Sequence, residues 1–174
     1  MLDLVWWLAL GLVLIFGGAA LTGAPYVPSR RRDIKKAFSE LYVLSKDDVL
    51  VDIGSGDGVV LREAARRGAR AIGYEINPIL VAISSWLSRK QPLVTVYLSN
   101  FWHSKLAADT TVVYLFGDGR DIKRIDKWLS TQAGRLNKSI FIISYGFKLP
   151  GRQPVRAAGA HFLYKVTPLH FKEP

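Results

Sequence analysis

Three glycines and two aspartates at close spacing are the residues of this sequence best suited to ligand chemistry. Gly54, Gly56 and Gly58 stand at alternate positions, with Asp52 just before them and Asp57 among them. Glycine permits positive φ angles and lets the backbone come close to a bound molecule. We therefore expect a binding turn, with its backbone N–H groups and the N-terminus of the following helix facing the ligand.

A third acid, Glu75, lies 21 positions after Gly54. The apolar run from Val49 to Ile53 predicts a buried parallel strand before the turn, and Glu75 falls at the end of the next predicted strand. A carboxylate in that position can accept hydrogen bonds from both hydroxyls of a ribose. This spacing predicts an adenosine-type cofactor.

The charge of the turn distinguishes between adenosine cofactors. A dinucleotide site uses G-x-G-x-x-G, whereas residues 54–58 read G-x-G-x-G, and the Gly-Lys-Ser/Thr of a Walker loop is absent. Acids at positions 52 and 57 would repel a pyrophosphate, but they suit the amino group and sulfonium of S-adenosyl-L-methionine. We predict an S-adenosyl-L-methionine site; the competing interpretation is a structural turn without a ligand.

The composition removes several other chemistries. The chain has no cysteine, which excludes disulfides, a cysteine-based zinc site and a cysteine nucleophile. Its three histidines, at positions 103, 161 and 170, lack metal-ligand spacing, so no metal is expected. The formal net charge of +10 suggests a negatively charged partner, either nucleic acid or an anionic membrane surface.

Strand and helix patterns alternate along the chain after residue 47. Predicted strands cover residues 49–53, 69–76, 93–98, 111–116 and 139–144, with a closing pair at 155–157 and 161–167. The helix that starts at Asn77-Pro78 has an apolar face composed of Ile79, Leu80, Ile83, Trp86 and Leu87. The alternation predicts an α/β fold, a Rossmann-like doubly wound and mostly parallel sheet with helices on both faces.

The N-terminal segment predicts a membrane anchor. From Leu4 to Ala24 there is no charged residue, and this length spans the hydrocarbon core of a bilayer. Basic residues at 30–32, 35 and 36 follow it, which places the rest of the chain on the cytoplasmic side. A cleaved signal peptide is disfavoured because no positive region precedes the apolar run. We interpret the basic cluster as a topology signal, so nucleic acid is not an expected partner.

These predictions divide the chain into three parts. Residues 1–24 form the transmembrane helix, residues 25–46 a connector with a leading helix, and residues 47–174 the cofactor-binding domain.

The motifs resemble those of one enzyme family. Residues 51–58, Val-Asp-Ile-Gly-Ser-Gly-Asp-Gly, look like the first motif of class I methyltransferases. Residues 73–78, Gly-Tyr-Glu-Ile-Asn-Pro, are similar to the second motif of lysine methyltransferases that act on the ATP synthase c-subunit and the adenine nucleotide translocase, and of their bacterial relatives. Residues 25–28, 99–102 and 116–117 resemble further segments of that family, although Asn100 stands where the family has Asp.

The resemblance implies a set of site residues. The implied cofactor-binding residues are Asp52, Gly54, Ser55, Gly56, Asp57, Gly58, Glu75, Asn77, Asn100 and Phe101. The candidate catalytic residues are Asn100, Trp102, Phe116 and Tyr26; the last three, with Tyr145, could form an aromatic wall around an amine. The implied reaction is methyl transfer to a protein that presents lysine, at a membrane.

Two alternatives remain at this point. The first is a methyltransferase that acts on a small molecule, a lipid or RNA. The second is a cofactor-binding protein without transfer activity, which Asn100 and the lack of an obvious general base would permit.

Overall fold

The structure of the protein is a computed structural model that describes residues 5–7, 30–116 and 121–168. Its strands are β1 (Val49–Ile53), β2 (Arg70–Glu75), β3 (Val94–Leu98), β4 (Val112–Phe116), β5 (Ile140–Tyr145), β6 (Arg156–Ala158) and β7 (His161–Val166). Its helices are α1 (Arg31–Lys36), which continues as a π-helix over Ala37–Leu41, α2 (Val59–Ala65), α3 (Pro78–Ser88) and α4 (Ile122–Leu136), with a 3-10 turn at Phe101–His103.

The described strands form one sheet in the order β3-β2-β1-β4-β5-β7-β6. All pairs from β3 across to β5 are parallel, while β7 pairs antiparallel with β5 and β6 pairs antiparallel with β7. The prediction of a mostly parallel sheet with a closing pair of strands is confirmed. β1 is wholly buried because it lies in the middle of this sheet, and its apolar run reflects burial on both faces.

Two hydrophobic cores cover the two faces of the sheet. One face packs against α4 through residues such as Val113, Ile142 and Leu129. The other packs against α1, the π-helix and α2 through residues such as Leu50 and Leu61. The crossovers β1-α2-β2 and β2-α3-β3 step in the same direction, and right-handed crossovers therefore put α2 and α3 on the same face, opposite α4.

The leading helix belongs to the core. Ile34, Ala37, Phe38 and Leu41 are buried, as their helical spacing predicts. The Phe38 ring packs edge-on against Tyr114 of β4, with ring centroids 6.2 Å apart. Residues 31–41 are thus fixed to the sheet.

A buried glutamate strengthens this attachment. The side chain of Glu63 in α2 is only 5% exposed, and its carboxylate lies 3.3 Å from Arg31 of α1, 3.3 Å from Arg66 and 3.8 Å from Arg67. A buried carboxylate is costly unless cations and hydrogen bonds compensate for its lost hydration. Glu63 therefore links the leading helix to α2, and the stability of α2 depends on these ion pairs.

The apolar face predicted for α3 is not the face that α3 buries. Its buried residues are Ser84 and Ser88, while Ile83, Trp86 and Leu87 are exposed. Small residues face inward because α3 passes very close to the glycine turn: a Cβ added to Gly58 would lie 2.0 Å from the Ser84 Oγ. The helical periodicity is correct, but the tight approach selects the serine stripe for burial.

Most of the predicted anchor, from Leu4 to Ala24, lies outside the described residues. Residues 5–7 are helical and exposed. Within the described ranges, no helix combines the length and apolar character that crossing a bilayer requires.

Replacing Glu63 with Gln should lower the free energy of unfolding by about 2 kcal/mol, because charge-assisted hydrogen bonds to arginine are lost in a buried place. Urea unfolding followed by circular dichroism measures this. Glu40→Gln is the matched control: Glu40 forms an exposed pair with Lys36 at 3.7 Å and should change stability by less than about 0.5 kcal/mol. Equal effects of the two variants would contradict the linking role of Glu63.

Candidate functional site

The candidate site lies at the carboxyl ends of the parallel strands, where β1 and β4 are neighbours but their connections run to opposite sides of the sheet. Ligands of open α/β sheets bind at such a switch point. The register puts Glu75 one residue beyond the Ile53↔Tyr74 pair and brings Phe116 opposite Tyr145. The residues that follow these strands therefore lie together at the carboxyl end of the sheet.

Four N–H groups of the glycine turn already form hydrogen bonds inside the protein. Those of Gly54 and Ser55 donate to the Tyr74 carbonyl at 2.9 and 3.1 Å, and that of Gly58 donates to the Ser55 carbonyl at 2.8 Å. The Gly56 N–H donates to Glu75 Oε2 at 2.8 Å. The expectation that these N–H groups face a ligand is wrong for all four. These four N–H groups are therefore not available to a phosphate.

Two glycines of the turn serve different purposes. Gly54 is exposed, has φ +82°, and a Cβ there would meet nothing within 4 Å, so open space lies above it. Gly58, with φ +78°, instead closes against Ser84 of α3, where a side chain would collide. Gly54 thus borders open space, and Gly58 permits the packing of α3.

Glu75 bridges the two loops that border the site. Its Oε2 accepts from Gly56 of the turn, and its Oε1 accepts from the backbone N–H of Asn77 at 2.9 Å. Glu75 is 8% exposed, so this carboxylate is fixed in place. Each oxygen retains a lone pair for a further donor, such as a ribose hydroxyl.

Asp52 is the acid of the site whose burial is least compensated. It is 3% exposed, and no hydrogen bond reaches its carboxylate from any residue within the described ranges. Burial raises its pKa well above the usual range, and the nearby charges of Glu75 and Asp57 raise it further. A cation placed beside Asp52 would relieve this unfavourable energy.

Asp57 and Asn77 both have structural roles at helix starts. Asp57 Oδ1 accepts from the Val59 N–H at 3.1 Å, and its Oδ2 lies 3.3 Å from Arg62. Asn77 Oδ1 caps α3 by accepting from the Ile79 N–H at 2.9 Å. The placement of these residues is as predicted, but their oxygens are engaged by the protein.

Ser55 also turns away from the open space. Its Oγ is buried without a hydrogen-bond partner in the described residues, and it lies 2.6 Å from where a Cβ on Gly73 would stand. The side chain therefore packs under the turn against β2. Its backbone, not its hydroxyl, shapes the site.

The site residues fit a cationic adenosine compound better than a phosphate. Three carboxylates interact within the site, and of these only Asp57 has a basic partner in the described part of the chain. Four N–H donors of the turn are engaged within the protein, whereas acceptors remain at Glu75 and Asp52. Acceptors suit hydroxyls, an ammonium and a sulfonium, and these are the polar groups of the predicted cofactor apart from its adenine and carboxylate.

Asn100, Phe101 and Trp102 follow β3, and the rings of Phe101 and Trp102 belong to an aromatic cluster. Asn100 Oδ1 accepts from the Trp102 N–H at 3.1 Å. Phe101 packs between Trp102 and Trp128, with ring centroids 4.4 and 5.5 Å away. The Arg124 guanidinium already lies 4.1 Å from the Trp102 ring centroid. One face of the Trp102 ring is therefore covered by a cation of the protein itself. This makes Trp102 a weaker candidate for contacting a substrate amine.

Phe116 belongs to a second aromatic cluster at the ends of β4 and β5. Its ring centroid lies 5.3 Å from that of Tyr145 and 6.4 Å from that of Phe147. His161 also packs against this cluster, with its ring centroid 4.5 Å from that of Tyr145. Phe116 and Tyr145 come together as predicted. Tyr26 lies outside the described residues.

His161 and Phe147 are not marked as site residues by the sequence. His161 is buried, its Nε2 lies 2.9 Å from the Tyr114 hydroxyl, and burial lowers its pKa to about 4, so the ring is neutral at pH 7. Nothing in the sequence indicates the pairing of His161 with Tyr114, because 47 positions separate the two residues and only the antiparallel return of β7 brings them together.

Comparison with known proteins places this geometry in a family context. Residues 52–156 match the family described as the ANTKMT methyltransferase domain. The chain is 32% identical to the ATP synthase c-subunit lysine N-methyltransferase of Xenopus laevis over 75% of its length, and 30% identical to the human protein of that name over 78%. These alignments cover 56% and 57% of the relatives, so the chain spans little more than half of their length.

A solved structure is similar over nearly its whole length. An RNA methyltransferase from Salinibacter ruber, crystallised with S-adenosyl-L-homocysteine, superposes with a TM-score of 0.73 at 26% sequence identity. The match covers 85% of this chain and 98% of that chain.

Glu75→Gln should weaken binding of S-adenosyl-L-methionine on the order of 100-fold. An amide keeps one acceptor but turns an NH₂ group toward a backbone N–H, and a lost charged hydrogen bond costs about 2–3 kcal/mol. Isothermal titration calorimetry measures the affinity, and Glu40→Gln on the exposed surface is the control. An affinity unchanged by Glu75→Gln would remove Glu75 from the site.

Asp52→Asn should raise the Tm of the ligand-free protein at pH 8. Because burial raises the pKa of Asp52 in the folded state, its destabilising effect is absent below the unfolded pKa of about 3.9 and grows as pH rises through the folded value. The difference from wild type should therefore shrink toward pH 4. Differential scanning calorimetry across this range tests it, with exposed Asp47→Asn as control; a lower Tm of Asp52→Asn at pH 8 would refute it.

Proposed function

We propose that this chain, which belongs to the ANTKMT methyltransferase domain family, transfers the methyl group of S-adenosyl-L-methionine to lysine side chains of a protein. The observation that carries the proposal is the acidic site beside a glycine turn in which the N–H groups of Gly54, Ser55, Gly56 and Gly58 are all engaged within the protein. That arrangement supports a cationic cofactor over a phosphate-bearing one. Relatives named as lysine N-methyltransferases support the acceptor class.

Each acid has a distinct part in holding the cofactor. Glu75 accepts the ribose hydroxyls, since its carboxylate is fixed by two backbone N–H groups. Asp52 offsets the positive charge of the amino-acid end, which in turn relieves its own buried charge. Asn100, at the end of β3, directs its amide nitrogen to the adenine, because its Oδ1 is occupied by Trp102. When bound, the cofactor supplies a methyl group activated by its sulfonium.

The aromatic cluster at the ends of β4 and β5 is the proposed acceptor site. Phe116 and Tyr145 are half-buried; Phe116 ends β4, the strand next to β1, and Tyr145 ends β5, one strand farther from the acidic site. Aromatic faces attract an ammonium, and their apolar surroundings favour its neutral form, which is the nucleophile. His161 beneath Tyr145 stays neutral at pH 7 and so adds no repelling charge.

Alignment and desolvation are then the main contributions of the protein. Methyl transfer is an in-line displacement, so holding the acceptor nitrogen in line with the transferred methyl group accounts for much of the rate acceleration. No general base is needed at the transferring atoms if the lysine arrives deprotonated. Asn100 in place of an acid is compatible with this scheme.

RNA is the second candidate acceptor. The similarity to the RNA methyltransferase of Salinibacter ruber covers nearly all of that chain, and a net charge of +10 suits a polyanion. The apolar segment from Leu4 to Ala24 favours an acceptor at a membrane instead. On this proposal that segment is a single-pass anchor and the catalytic domain faces the cytoplasm.

Membranes and soluble extract incubated with the chain and tritiated S-adenosyl-L-methionine should become labelled in membrane protein. Mass spectrometry of that fraction should show methyl-sized mass increments on lysine. Glu75→Gln should reduce the label more than tenfold, and Glu40→Gln should leave it unchanged. Label confined to RNA or to lipid extract would overturn the lysine proposal. Cofactor binding without any labelled product would support a non-catalytic role.

A further inference from the structure

One helix of the catalytic domain presents large apolar side chains to solvent. Ile83, Trp86 and Leu87 of α3 are 41%, 63% and 39% exposed. They lie at spacings of three and four residues, so they form one stripe on the outer surface of the helix. Contiguous exposed apolar groups of this size mark an interaction surface.

The stripe exists because the inner surface of α3 is built from serine. Ser84 and Ser88 are buried, and neither Oγ has a hydrogen-bond partner in the described part of the chain. Their small size lets α3 approach Gly58 closely. Burying Trp86 instead would push the helix away from the glycine turn. The stripe is thus fixed outward by the cofactor site itself.

Basic residues continue the stripe at the C-terminal end of α3. The Arg89 guanidinium lies 4.7 Å from the Trp86 ring centroid and donates to the Trp86 carbonyl at 2.8 Å. Lys90 follows, and with Arg66 of the neighbouring turn it lines a shallow groove that also includes Leu93. Cations beside tryptophan and leucine are the pattern of helices that lie in a membrane interface.

The charge around the stripe selects the partner. Residues 76–108 contain no aspartate or glutamate, whereas Arg89, Lys90 and Lys105 are basic. A second copy of the chain packed symmetrically on this stripe would bring Arg89 and Lys90 toward their own equivalents, with no acid in the segment to compensate. A partner with an anionic outer layer and an apolar layer beneath it would complement both the cations and the apolar stripe of α3.

We propose that the outer face of α3, formed by Ile83, Trp86, Leu87, Arg89 and Lys90, binds the surface of an anionic lipid bilayer. The apolar stripe enters the region below the headgroups, and the two cations contact lipid phosphates. This contact belongs to the folded domain and is separate from the apolar segment at the N-terminus. Because α3 starts next to Glu75, the contact also sets how the cofactor site is oriented relative to the bilayer.

The absence of cysteine allows a direct test in the full chain. Leu87→Cys is labelled with an environment-sensitive fluorophore and mixed with phosphatidylcholine vesicles that contain about one-third phosphatidylserine. We expect a blue shift and a rise in emission. The same label at Thr131→Cys, an exposed position of α4 on the opposite face of the sheet, should not respond.

Charge neutralisation gives the second measurement. In the Leu87→Cys background, Arg89→Gln with Lys90→Gln should require about 30-fold more anionic lipid for half of the emission change, since each cation contributes about 1 kcal/mol. Lys123→Gln with Lys127→Gln, two exposed cations of α4, is the matched control and should need no more lipid than the parent.

Three results would overturn the proposal. Vesicles that carry the protein while the Leu87 label stays unshifted would mean that the N-terminal segment alone attaches the chain. A blue shift that grows with protein concentration in the absence of lipid would identify a second copy as the partner. An equal response of the Thr131 label would show that the contact is not specific to α3. Circular dichroism of each variant verifies that it is folded.

Discussion

The site depends most on the two hydrogen bonds that the Glu75 carboxylate accepts from the backbone. One oxygen holds the glycine turn through Gly56, and the other holds the start of α3 through Asn77. Two loops that follow different strands therefore keep a fixed distance. The geometry comes from a buried charge that accepts one backbone N–H on each oxygen, and such charge-assisted bonds are shorter and stronger than neutral ones. Any ligand that uses Glu75 meets a preorganised acceptor.

That constraint extends outward into the packing of α3. With the turn fixed, the helix is held against Gly58, where only small side chains fit, and Ser84 occupies that position. The large residues of α3 must then point to solvent. The close packing at the glycine turn thus produces the apolar stripe on the surface. The site and the proposed lipid contact are two consequences of one close approach.

The electrostatics of the site follow a second constraint, which is that its acids outnumber its cations. Asp57 is neutralised by Arg62, but Asp52 has no such partner among the described residues and bears a pKa raised by burial. Such a site is least stable without a ligand and gains most from a cation. Elsewhere the fold treats buried charge differently: Glu63 is surrounded by three arginines. The contrast is between Glu63, a buried acid compensated by arginines, and Asp52, a buried acid with no cation beside it among the described residues.

The sequence by itself determined the parallel sheet, the positions of its strands and the acidic glycine turn, because apolar runs, helical spacing and glycine carry local information. It also located Glu75, whose distance from the turn is set by one strand-helix-strand unit. Only the tertiary structure decided that the N–H groups of Gly54, Ser55 and Gly56 are engaged, since their acceptors on Tyr74 and Glu75 belong to the neighbouring strand. It likewise decided that serine rather than tryptophan is buried on α3, and that His161 lies beneath Tyr145. Each of these depends on how closely elements distant in sequence approach one another, which no local pattern records.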